Sequence, residues 1–275
     1  MNSNIDIKQK PIKLTRYLSI SIFSLFAACL FTLSYADIDP KTMVGAWTLD
    51  EGSGKIAKDS SLYKNDGKLI SGPNWVGGHF DKALSFDGKT DYIDCGNAES
   101  LQITKSLTIM GWVKPDKALG LDNWQRFAAR GEFNTGWMIG ITIDKRPDLT
   151  VTQADAGFVT MYGNTTIKLG QWYHIAGVVD SKAKKVYIYF NGKLDADPKA
   201  HSGEMKDPQV SMVIGKSGVA HVYDFHGIID EVMIFNVALT ENDITNLMKS
   251  GIKKALAAVS PKDRLASIWG EIKAE

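Results

Sequence analysis

Lys185-Val186-Tyr187-Ile188-Tyr189-Phe190-Asn191-Gly192-Lys193 reads as one strand running into a tight turn. Val186, Ile188 and Phe190 share one side, and Tyr187 and Tyr189 share the other, which is the period of two that a β-strand imposes on its side chains. The aliphatic side is a core face. The tyrosine side is either a partly exposed aromatic face or lies under a neighbouring segment. Asn191-Gly192 suits a type I′ hairpin turn, because both residues tolerate positive φ.

Working outward, the same signature recurs at 44–49, 83–86, 107–113, 137–143, 172–179 and 228–235, each an apolar or β-branched run. Asp66-Gly67, Gly77-Gly78 and Asp87-Gly88 punctuate the runs. Many short strands, Gly-rich turns and no long helical period over 44–235 predict an all-β, two-sheet antiparallel sandwich. Residues 115–125 and 195–209 read as loops. Two short helices close the chain. Thr240 caps the first with Asp243 three residues on, Ile244, Leu247 and Met248 form its apolar face, and Gly251 stops it. The second begins at Ser260-Pro261 and carries Leu265, Ile268, Trp269 and Ile272 on one stripe, fit to pack on the sandwich or to serve self-association.

Residues 1–36 read as an export signal: Lys8, Lys10, Lys13 and Arg16 precede the apolar run Leu18–Leu33, and Ser34 and Ala36 supply the small residues of a cleavage site. An uncleaved anchor, or a lipoprotein modified at Cys29, are the alternatives. The division expected is a signal at 1–36, a sandwich domain at 37–250 and a helical tail at 251–275, with no membrane span once the signal is removed. The expected compartment is the secreted, periplasmic or cell-envelope space. The chain has 32 basic and 31 acidic residues; the signal holds four and one of these, leaving 28 against 30. No basic surplus points to nucleic acid. Beyond the signal Cys95 is the single cysteine, in an apolar setting that makes it a buried, inert thiol.

Five motifs in order resemble one family. Val44-Gly45-Ala46-Trp47-Thr48-Leu49-Asp50-Glu51-Gly52 with Asp59-Ser60-Ser61 through Asn65-Asp66-Gly67 opens the series. Ala83-Leu84-Ser85-Phe86-Asp87-Gly88, Gln171-Trp172-Tyr173-His174, Tyr189-Phe190-Asn191-Gly192-Lys193 and Gly227-Ile228-Ile229-Asp230-Glu231-Val232 with Ala238-Leu239-Thr240 complete it. Together they resemble the laminin-G-like jelly rolls of the concanavalin A-like lectin/glucanase superfamily, in a bacterial exported form. The usual opening loop of that family reads Asp-Ser-Ser-Gly-Asn; here Leu62-Tyr63-Lys64 precedes Asn65. The resemblance implies a jelly roll, an adhesion or sugar-binding role, and often one calcium ion.

Calcium takes six to eight oxygen ligands. A structural site joining Asp59, the Asn65 carbonyl and Asp230 would staple the chain ends; the alternative is that Asp59 and Asn65 cap a turn. A retaining glycoside hydrolase needs two carboxylates on one sheet face, hence at i and i+2 on a strand. Asp230 and Glu231 are adjacent, which on a regular strand turns them to opposite faces, so no enzyme is expected and hydrolysis is the distant alternative. The five histidines show no metal spacing, and His174 reads as a hydrogen-bonded sheet residue. For a ligand, Trp124, Tyr162, His221 and Tyr223 stand near turns, with Trp75 and Phe225 further candidates, whereas Trp47, Trp112 and Trp172 fall in strand patterns that read as core. The expected function is an exported, non-catalytic module recognising glycan or extracellular protein. A structural or adhesion protein with no small ligand, assembling through its C-terminal helix, is the alternative.

Overall fold

The structure, a computed structural model, describes residues 38–116, 124–155, 157–218 and 223–259. The expected signal, the helix from Ser260, His221 and most of the 115–125 loop lie outside them. The strands run in chain order as β1 (Met43–Trp47), β2 (Ile56–Ala57), β3 (Gly67–Ile70), β4 (Asn74–Gly77), β5 (Lys82–Asp87), β6 (Tyr92–Asp94), β7 (Leu107–Pro115), β8 (Gln125–Arg130) and β9 (Trp137–Ile141). They continue as β10 (Pro147–Thr152), β11 (Phe158–Tyr162), β12 (Tyr173–Asp180), β13 (Lys185–Phe190), β14 (Lys193–Leu194), β15 (Lys199–Ala200), β16 (Met212–Ile214) and β17 (His226–Phe235), followed by α1 (Glu241–Val259).

Two antiparallel sheets result. The first has nine strands, in the order β14-β13-β12-β7-β17-β5-β4, with β1 joined to β17 and β15 to β13. The second has eight, in the order β11-β10-β9-β8-β16-β6-β3-β2. All seven expected strand regions are strands. The 195–209 segment departs from the expected loop, because β15 adds to the edge of β13 there. Gly67 also departs from a turn: it lies in β3, where a Cβ would meet the Ile93 side chain at 2.3 Å. At the expected hairpin, Asn191 and Gly192 take φ of 48° and 79°. In the opening loop Lys64 adopts φ 57°, the left-handed conformation that the family's glycine accepts without strain.

Alternate residues meet between the sheets. Val186 and Ile188, Ile175 and Val179, Ile109 and Val113, Leu84 and Phe86 come from the first; Ile139, Leu149, Val151, Met161 and Ile214 come from the second. Burying each such side chain contributes about 1.5–3 kcal/mol. Trp47 and Phe225 are wholly buried in this core, and Trp75 packs against its rim. Cys95 is buried as well, which pushes its thiol well up and leaves it unreactive.

The tyrosine side of β13 is covered by α1. Ile244, Leu247 and Ile252 form one cluster with Tyr189, Ala176, Val178, Met110, Met233 and Phe235. The cap is the expected box: Thr240 Oγ1 accepts from the Asp243 amide at 3.2 Å, and the Thr240 amide donates to Asp243 Oδ2 at 3.0 Å. Gly251, with φ 69° and ψ 169°, interrupts the helix as expected, and helical structure resumes over 252–259.

One strand breaks the rule of two. Ile229 and Val232 both enter the inter-sheet core, yet they stand three apart, while Met233 joins the α1 side. The register with β7 shifts between Asp230 and Met233, and Glu231 takes φ 53°. This bulge admits one extra residue, so Asp230 and Glu231 are not sent to opposite faces as a regular strand would send them. Both carboxyls feel the charge of Asp50.

Candidate ligand-binding site

The outward face of the second sheet carries a transverse row of four residues. Arg126 on β8 faces Gly140 on β9, Gly140 faces Asp148 on β10, and Asp148 faces Tyr162 on β11. Gly140 leaves its position empty, so the Arg126 side chain crosses β9. Its Nη1 lies 2.6 Å from both carboxylate oxygens of Asp148, and both side chains are fully buried. Burial pushes the Asp148 carboxyl up, opposed by the Arg126 charge. One row further along, the Thr150 and Thr160 hydroxyls bond at 3.0 Å beside Met138.

Aromatic rings gather over this polar floor. Trp124 precedes β8, Phe133 lies in the connection from β8 to β9, and Tyr223 approaches through its carbonyl, which accepts the Arg126 amide at 2.8 Å. The Trp124 ring centre lies 5.7 Å from Phe133, 6.1 Å from Tyr162 and 6.4 Å from Tyr223. Phe133 also lies 5.5 Å from Phe158, which is 46% exposed. These are mostly edge-to-face contacts, each worth about 0.5–1.5 kcal/mol beyond burial. Cations attend the rings: the Arg126 guanidinium carbon lies 4.6 Å from the Trp124 centre, and Arg146 and Lys199 lie 5.4 Å and 5.0 Å from that of Tyr162.

Three sequence candidates, Trp124, Tyr162 and Tyr223, therefore meet in one patch, although 99 positions separate the first from the last. His221 lies outside the described residues. Sequence reading missed Phe133, Phe158, Arg126 and Asp148. One signal was available: Asp148, Thr150 and Thr152 alternate with Leu149 and Val151, a strand with one polar side. Trp75 and Phe225 belong to the core and its rim instead. A concavity of about 640 Å³ opens elsewhere, beside Tyr63, Asn65, Ser100 and Lys105, and Tyr63 is the one ring among the described residues that line it.

The proposed calcium ligands stand differently. Asp59 Oδ1 accepts the Ala46 and Ser61 amides, each at 2.8 Å, and Oδ2 accepts the Ser61 hydroxyl at 2.7 Å and the Asn65 amide at 2.8 Å. The Asn65 carbonyl accepts the Trp47 indole N–H at 3.0 Å. The loop has already spent the lone pairs of Asp59, as in a capped turn. Asp230 serves another segment: its Oδ2 accepts the His79 and Phe80 amides, both at 2.9 Å. Among the described residues no group of three or more His, Cys, Asp or Glu side chains is placed to hold a metal ion.

The outer face of the first sheet holds a smaller aromatic group. Trp112 is not in the inter-sheet core as its pattern suggested; its register neighbours are His174 and Asp230, and the His79 ring stacks on it at 3.5 Å. Trp172 stands 5.9 Å from His79. His174 is fully buried, and neither ring nitrogen has a partner among the described residues. Its backbone N–H, not its ring, makes the hydrogen bond, to Asn191 Oδ1 at 2.9 Å. Burial lowers its pKa to about 3, so the ring is neutral.

Two antiparallel sheets enclosing one core, with a ring-lined patch on an outward face, define a jelly-roll sandwich. Residues 87–245 match the laminin-G family model described as the concanavalin A-like lectin/glucanases superfamily. The chain belongs to that superfamily. Solved structures agree on the fold. The binding domain of Paraclostridial Mosquitocidal Protein 1 is similar at 18% identity and TM-score 0.62, over 77% of this chain and 53% of that one. Domain 4 of AbnA, an extracellular arabinanase from Geobacillus stearothermophilus solved with arabinotriose, is similar at 20% identity and TM-score 0.58, over 75% of this chain and 98% of that one. The botulinum neurotoxin serotype G binding domain follows at 14% identity and TM-score 0.59, over 75% and 50%. This chain thus spans about half the length of the mosquitocidal-protein and neurotoxin serotype G binding domains. No curated protein matches the sequence.

Proposed function

We propose that this chain is an exported, non-catalytic binding module that recognises a glycan through the patch around Trp124, outside the cell or within its envelope. The observation that carries the reading is the convergence of Trp124, Tyr162 and Tyr223 over a polar sheet face. Ring faces and edges accept the C–H faces of a sugar, while Arg146, Lys199 and the tyrosine hydroxyls supply polar contacts at the rim. Domain 4 of AbnA, of similar fold, was solved with arabinotriose, which supports glycan as a ligand class for this fold. Export rests on the basic and apolar pattern of residues 1–36.

Catalysis has no place in this reading. Asp230 and Glu231 hold backbone amides of the 79–80 segment and of Ile252. Calcium has none either, since Asp59 is committed to its own turn.

The test is intrinsic tryptophan fluorescence during titration with arabino-, xylo-, gluco- and galacturono-oligosaccharides. Saturable change with at least one of them, abolished in Trp124→Ala, is expected. Silence across the panel at millimolar concentration, matched by an empty glycan array, would sink the proposal.

A further inference from the structure

Arg126 uses only part of its hydrogen-bonding capacity. Nη1 serves Asp148, but Nε and Nη2 have no acceptor among the described residues, although the side chain is fully buried. A buried donor left unmade costs about 1–3 kcal/mol, and more on a charged group. Arg130, also buried, shows the satisfied case: it donates to the Leu101 and Val210 carbonyls and to Asn97.

The two idle donors lie along one edge of a planar guanidinium. That edge presents two parallel N–H groups, the fork that matches the two oxygens of a carboxylate. The guanidinium carbon lies 4.6 Å from the Trp124 ring centre, so the group lies directly against the aromatic patch. Trp124 is itself only half-buried.

The rim carries cations as well. Arg146 and Lys199 both stand over the Tyr162 ring. Arg146 is paired with Asp144, whereas Lys199 donates to the Thr160 carbonyl and forms no ion pair among the described residues. With 32 basic against 31 acidic residues in the whole chain, these cations are a local arrangement and not an overall excess.

We propose that the site takes a uronate-bearing glycan, its carboxylate seated on the Nε–Nη2 edge of Arg126 as Trp124 swings aside, with Arg146 and Lys199 matching further negative charge at the rim. The inference rests on the glycan-binding reading above and names the ligand class for that same site.

The experiment compares four probes on the full chain, by calorimetry and tryptophan fluorescence: trigalacturonate, its methyl ester, arabinotriose and a sulfated neutral trisaccharide. Trigalacturonate is expected to bind roughly tenfold or more tightly than its ester, with affinity falling as salt rises. Arg126→Lys keeps the charge, loses the fork and should lose about tenfold in affinity for trigalacturonate. Since that residue is buried, the surface double variant Arg146→Gln/Lys199→Gln provides an independent reading. It should keep its melting temperature and weaken trigalacturonate several-fold more than it weakens arabinotriose. Arabinotriose or the methyl ester binding as well as trigalacturonate would overturn the uronate inference and leave the glycan-binding module standing. Equal binding of the sulfated probe would also overturn it, since the fork would then confer no preference for a carboxylate. Binding of none of the four, with none in the wider panel, would remove both.

Discussion

Arg126 and Asp148 form a fully buried ion pair across an intervening strand, with Nη1 at 2.6 Å from each carboxylate oxygen. The glycine between them is what allows it. A Cβ at Gly140 would stand 1.9 Å from the Gln125 carbonyl oxygen and 3.0 Å from the Arg126 Cα. Gly140→Val is expected to destabilise by more than about 2 kcal/mol, and Asp148→Ala by about 3–5 kcal/mol, because it leaves the Arg126 charge buried and unpaired. Urea denaturation measures both, and a loss below 1 kcal/mol in Asp148→Ala would mean that the pair is solvated in solution.

Asp230 and Glu231 give the stability a pH dependence. Burial raises their folded pKa values to about 8 and about 7, from 3.8 and 4.5. Between these limits the folded state holds protons that the unfolded state has released, so this contribution is fully present below about pH 4 and is lost as pH rises through 7 to 8. The melting temperature should fall steadily from pH 5 to about pH 8. Asp230→Asn, which keeps an acceptor for the His79 and Phe80 amides but cannot ionise, should flatten that slope.

Asp59 ties the opening turn together with four hydrogen bonds, to Ala46, Asn65 and twice to Ser61. Asp59→Ala should cost about 3 kcal/mol. EDTA should leave the melting temperature unchanged and added calcium should not raise it. A calcium-dependent rise in melting temperature would restore the metal reading for this loop.

Thr240 caps α1 through reciprocal bonds with Asp243. Thr240→Ala should cost about 1 kcal/mol. The helix covers Tyr189 and Phe235, so the loss should appear as lower global stability in urea and not only as fraying seen by hydrogen exchange.

Removal of the Trp124 ring tests the site without breaking the core. Trp124 is half-buried and its partners sit on the outward face. Trp124→Ala should lower stability by no more than about 1.5 kcal/mol while abolishing glycan binding. A large drop in melting temperature would mark the ring as a structural plug.

Much of the fold was legible in the sequence, for local reasons. The alternation in 185–190 and the Asn191-Gly192 pair settle a hairpin within nine residues, because side-chain period and backbone φ are near-neighbour properties. The Thr240 cap is local in the same way. The strands β8, β10 and β11 were not read. Gln125-Arg126-Phe127-Ala128-Ala129-Arg130 places two arginines in a strand whose six residues are all buried, and what makes this tolerable lies on β10 and in distant carbonyls. The bulge at Glu231 was hidden too, since alternation alone does not reveal where a strand gains a residue.

By itself the sequence determined the sandwich, its closing helix and the rings worth watching, since spacing, turn chemistry and capping act over a few residues. Only the tertiary structure decided which rings meet, that Arg126 crosses a glycine to Asp148 with one edge unused, and that Asp59 and Asp230 serve separate segments. Those outcomes depend on register between strands distant in the chain. Such register is set by how the two sheets fill one core, a property of the whole molecule that no single segment contains.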